Sequence, residues 1–123
     1  PIRGYLILAK KQFNQPKKYS DAWNFGTKNN SVKSVKEIID YMITFWGSGK
    51  IRYNKKVKFY EQKNLQLDIK KAKKKLNWYP TYSVKKGVQI TTEWYKNVFK
   101  EKKDPYKVTN NQILGYMNEN KWG

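Results

Sequence analysis

The chain contains neither cysteine nor histidine. The first absence excludes disulfides and thiolate nucleophiles, the second an imidazole base, and together they exclude the common zinc ligand sets. No apolar run approaches the roughly eighteen residues of a membrane-spanning helix, and the N-terminal residues do not compose a signal peptide. A cysteine-free chain without a membrane partner fits the cytoplasm, and a cytoplasmic location is expected. Arginine is also scarce. Arg3 and Arg52 are the only arginines among 27 cationic side chains, which face 9 acidic ones and give a net charge of +18. Such a charge attracts polyanions, so a small basic nucleic-acid-binding protein is the alternative functional reading. Base and phosphate recognition favours the planar two-point grip of arginine, however, and this excess is lysine. Lysine, asparagine, isoleucine and tyrosine share AT-rich codons, so genome composition offers a plain alternative explanation of the excess.

At 123 residues the chain is read as a single domain, 1–123, with room for one core. Its organising stretch runs from Leu65 to Pro80. Leu65 and Leu67 alternate with Gln66 as in a half-buried strand, and Asp68 is a helix N-cap residue type. Ile69, Ala72 and Leu76 then recur at helical spacing, Lys70 to Lys75 supply a solvated face, and Pro80 marks the end of the unit.

Residues 4–13 predict a first helix, apolar on nearly every side from Tyr5 to Ala9 and stopped before Pro16. Ala22 to Phe25 reads as a short strand ending at Gly26. Ser34 and Glu37 form a capping box for a helix with an apolar stripe of Val35, Ile38, Ile39, Met42 and Ile43, stopped at Gly47. Lys50 to Tyr60 alternates in two short phases and predicts one or two strands. Ser83 caps a further helix with Val84, Gly87, Val88, Thr91, Tyr95 and Val98 as its stripe. After Asp104-Pro105, Thr109 and Gln112 offer a second capping box, with Val108 and Ile113 as its staple, for a last helix reaching about Glu119. The expected fold class is therefore α+β: four to five helices with a few short strands, and no complete Rossmann domain. The tryptophans read as core, and no carboxylate pair has the setting of an acid–base couple.

The pattern Leu65-x-Leu67-Asp68-x-x-Lys71-Ala72-(x)3-Leu76-x-Trp78-x-Pro80 resembles the C-terminal signature of extended short-chain dehydrogenases acting on nucleotide sugars. Within that group the CDP-glucose 4,6-dehydratases are most similar. Pro1 to Leu6, Ala22 to Gly26 and Thr91 to Tyr95 match in the same order. The resemblance implies the substrate-binding, C-terminal portion of an NAD-dependent lyase of deoxysugar and O-antigen type metabolism. It places Lys58 where relatives carry an arginine that meets the substrate pyrophosphate, Tyr60 and Glu61 in the adjoining substrate segment, and Arg3 near the cleft. A CDP-sugar is the implied ligand. The partner is either a missing N-terminal nucleotide-binding half or a second copy, the dimer forming through the apolar first helix. NAD belongs to the full-length family, and no cofactor is expected in this chain. The glycine-rich turn that brings a helix N-terminus to a pyrophosphate has no counterpart among the seven glycines. The family's Tyr-x-x-x-Lys pair is also expected to be missing, the nearest imitation being Tyr106 beside Lys107. No catalysis is expected from the chain alone, which reads as a binding or assembly module.

Overall fold

A computed structural model describes residues 1–28, 32–52 and 66–120. Its elements are α1 (Ile2–Asn14), α2 (Pro16–Tyr19), α3 (Val35–Trp46), α4 (Lys70–Leu76), α5 (Val84–Tyr95) running into a π-helical turn (Lys96–Lys100), and α6 (Pro105–Glu119). They divide into two compact units. Among the described residues, the first holds 1–28, 32 and 66–81, and the second holds 33–52 and 82–120.

The core of the first unit is the stretch around which the sequence is organised. Ile69, Ala72, Leu76 and Trp78 are buried with Tyr19 and Phe25, while Ile7, Leu8 and Trp23 pack against them. The N-cap position of α4 is held by Ile69, and Asp68, expected there, sits one residue earlier, where its Oδ1 accepts from the Lys70 N–H at 2.8 Å. At the other end Asn77, at φ 51°, enters the left-handed region, so α4 stops there and not at Pro80. Trp78 N–H then donates back to the Ala72 carbonyl at 3.3 Å, turning the indole into the core. Phe25 meets Trp78 edge-on at 5.0 Å and Tyr5 edge-on at 5.1 Å, so three aromatics fasten α1 to the segment after α4.

In the second unit α3 packs on α5. The Ser34–Glu37 capping box is present in full, and Gly47 closes α3 at φ 95°. Ser83 Oγ accepts from Lys86 N–H at 3.1 Å to start α5. Here the buried side is centred on Thr92, and Thr91 and Tyr95 are exposed, so the predicted stripe is rotated by about one residue. The last helix departs further from expectation. It begins at Pro105 with Asp104 as cap, whose Oδ1 accepts from Tyr106 N–H at 3.0 Å. Thr109 and Gln112 lie inside it.

The α+β expectation is corrected: the described residues form helices and contain no strand. The reason is visible at Ala22. Its N–H donates to Asp21 Oδ1 at 2.7 Å, and its carbonyl accepts from the Lys71 ammonium at 2.9 Å. Side chains take both backbone groups that a ladder would need. The segments around Gly26 and Leu67 still lie side by side, since a Cβ on Gly26 would stand 3.3 Å from Leu67 Cβ. Alternation in sequence reports a half-buried irregular segment as readily as a paired strand. Leu65 and all but residues 50–52 of the predicted Lys50 to Tyr60 strands lie outside the described residues.

Candidate functional site

Of the four residues expected to bind substrate, the structure places Arg3. It is half-buried in the first turn of α1, and no described residue pairs with its guanidinium. Lys58, Tyr60 and Glu61 lie outside the described residues. What is described is the frame on either side. Gly4, next to Arg3, is buried so tightly that a Cβ there would fall 2.4 Å from two ring carbons of Phe25 and 3.0 Å from Trp78 Nε1. The first turn of α1 is therefore seated on the aromatic core, which fixes the backbone that presents Arg3. The segment leading out of residues 53–65 is fastened as well, through the approach of Leu67 to Gly26 and the hydrogen bond from Lys70 N–H to Asp68 at the start of α4. Both elements belong to the same unit.

The lysine run of α4 divides by role. The Lys71 ammonium is hydrogen-bonded to the Asp21 carboxylate, reaches the Ala22 carbonyl at 2.9 Å and lies 4.7 Å from the Trp23 ring centre. The hydrogen bond from Lys71 holds the Asp21 carboxyl below its ordinary range, helped by the Ala22 N–H. Lys71 is thus a structural tie between α4 and the 21–28 segment. Lys74 and Lys75 face solvent, and so does Lys70, which reaches Asp68 only at 3.8 Å.

Tyr82 and Lys86 stand at Tyr-x-x-x-Lys spacing, a match that the expectation of a missing pair overlooked. In the structure it lacks the necessary geometry. Tyr82 precedes the Ser83 cap and lies off α5, whereas two residues four apart share a face only when both are helical. The Tyr82 ring meets Tyr116 edge-on at 5.2 Å. Burial, then a hydrogen bond to Glu119, pushes its phenol upward, opposite to the depression that makes a tyrosine a base.

The second unit has an apolar cavity of about 350 Å³ lined by Ile39, Met42, Ile43, Trp46, Ser48 and Thr92. The Thr92 hydroxyl is buried without a hydrogen-bond partner among the described residues. The lining carries no charge, so it does not suit a pyrophosphate, which needs cations or convergent amides. Among the described residues no group of three or more acidic side chains is placed to hold a metal ion, and no helix is long and apolar enough to cross a membrane. Among the described residues, the chemistry in reach is anion binding by Arg3 on a fixed backbone, with no acid–base pair beside it.

No family model matches the chain. Among curated proteins it is similar to a CDP-glucose 4,6-dehydratase of Salmonella typhimurium, with 30% identity over 97 residues. That alignment covers 78% of this chain, and the chain spans 27% of the length of its relative.

Proposed function

We propose that the chain is the sugar-nucleotide-binding portion of a CDP-glucose 4,6-dehydratase-like protein and binds a CDP-sugar without transforming it. The observation that carries this reading is the alignment with the dehydratase, which takes in most of the chain but about a quarter of the relative. In this reading Lys58 meets the pyrophosphate, Tyr60 and Glu61 border the sugar, and Arg3 adds a second cation from α1. The fastening of α1 and of the segment after residue 65 to one aromatic core supports it, because a preorganised frame lowers the ordering cost of binding. Dehydration needs a hydride acceptor and a base. The chain offers no glycine-rich turn for NAD, and the Tyr82 phenol is pushed up, away from the ionised form that acts as a base.

Calorimetric titration of the purified chain with CDP and with CDP-glucose tests the proposal. Lys58→Ala should weaken binding roughly 10- to 100-fold, the value of one charge-assisted contact. Lys74→Ala, on the solvated face of α4, should leave it unchanged. Lys71→Ala is unsuitable as the control because Lys71 holds Asp21 and Ala22. Binding that survives Lys58→Ala, or that falls equally in Lys74→Ala, is ionic adsorption and refutes the assignment.

A further inference from the structure

Helix α1 has two apolar faces, and among the described residues only one is covered. Gly4, Ile7 and Leu8 turn to the core of the first unit. On the opposite side Ile2, Leu6, Ala9 and Phe13 recur at steps of four, three and four, which brings them into one stripe along the helix. This stripe is in solvent: Ile2 is 73% exposed, Leu6 53% and Phe13 89%. One edge of it is cationic. Arg3 and Lys10 stand seven residues apart, two turns along the same flank, and no described residue pairs with either. Tyr5 and Gln12 form the other edge, again seven residues apart. The helix carries no acidic residue.

We infer that the outer face of α1 is a docking surface for an amphipathic helix of another polypeptide whose apolar stripe is edged by carboxylates. The apolar residues supply the attraction, and the Arg3–Lys10 edge selects the partner by charge, as flanking charges do between paired helices. Charge is also what weighs against a second copy of this chain. Any such pairing joins two chains of +18. An antiparallel two-fold pairing would in addition set each Arg3–Lys10 edge against its own image. An acidic helix meets neither penalty. The apolar stripe lies on the side of α1 turned away from the Gly4 seat; Arg3 alone is shared with the nucleotide-sugar reading, so loss of peptide binding in Phe13→Glu with CDP-glucose binding kept separates the two.

The test uses the full chain and two synthetic three-heptad helical peptides with the same leucine stripe, one edged by glutamate and the other by lysine. Fluorescence anisotropy should show the glutamate-edged peptide binding about tenfold or more tightly than its twin, with added salt narrowing the difference. Phe13→Glu and Leu6→Glu should abolish binding of both. Arg3→Gln with Lys10→Gln, surface changes that leave the core untouched, should bring the glutamate-edged peptide down to the affinity of its twin. Equal binding of the two peptides by the unaltered chain, or no binding of either, overturns the inference. Sedimentation showing a dimer of the chain alone, dissolved by Phe13→Glu, also overturns it and assigns the stripe to a second copy.

Discussion

Two glycines show how much the surroundings of one residue decide. Gly4 has no room for a methyl group, because a Cβ would sit 2.4 Å from Phe25, a ring itself held between Tyr5 and Trp78. Gly4→Ala should destabilise the chain by about 1–3 kcal/mol, the usual penalty of overpacking. Gly87, in α5, has nothing within 4 Å of its would-be Cβ. Gly87→Ala should therefore stabilise by about 0.5–1 kcal/mol, through helix propensity alone. Urea unfolding of the two variants should move the midpoint in opposite directions, and a shared direction would refute the steric account of Gly4. The burial of Trp78 follows the same logic. The sequence shows that it sits near an element end and favours packing, but not that Phe25 will be its neighbour, since that contact joins residues 53 positions apart.

At the scale of elements, the sequence is most legible where structure is local. The Ser34–Glu37 box, the Gly47 stop and the Ser83 cap are each settled within four residues of chain, and all are present. The Thr109–Gln112 box fails because distant partners claim both side chains. Thr109 Oγ1 accepts from the Trp94 indole at 2.9 Å, and Gln112 donates to the Ile90 carbonyl at 2.9 Å. The predicted Ala22 to Phe25 strand fails for a related reason: Lys71, distant in sequence, satisfies the carbonyl of Ala22. Replacing the true cap tests the boundary of α6, and Asp104→Ala should cost about 1 kcal/mol. Glu37 makes a second test of a cap. Hydrogen bonding to Lys33 and then Ser34 lowers its carboxyl from 4.5 to about 2. A depressed acid stabilises the fold above its unfolded pKa and loses that contribution as pH falls. The contribution of the box should therefore be whole above about pH 4.5 and disappear on acidification toward pH 2. Glu37→Gln should remove this part of the acid sensitivity, and urea midpoints that fall in parallel for the two proteins would count against it.

For the whole molecule, the sequence signals two properties that local pattern cannot interpret: an apolar first helix and an unbalanced charge. The first is legible from Tyr5 to Ala9, but the split into an inner and an outer face needs the position of Phe25. The proposed binding residues Lys58, Tyr60 and Glu61 rest on family resemblance and lie outside the described residues, so the frame beside them is what the structure adds. The charge sets a competing prediction. A net +18 attracts any polyanion at low salt, because each neutralised phosphate releases condensed counterions. If that attraction is only the field of dispersed lysines, DNA, RNA and heparin should bind alike at low ionic strength, and each affinity should fall by orders of magnitude on reaching physiological salt. Replacing Lys74 and Lys75 together should then reduce the salt slope by less than two, with no change in preference among nucleic acids. CDP-glucose carries few charges, so its specific binding should persist under the same salt. Retention of one nucleic acid over the others at physiological ionic strength would reverse the ranking. It would make the basic surface, and not the frame around Arg3, the functional face of this chain.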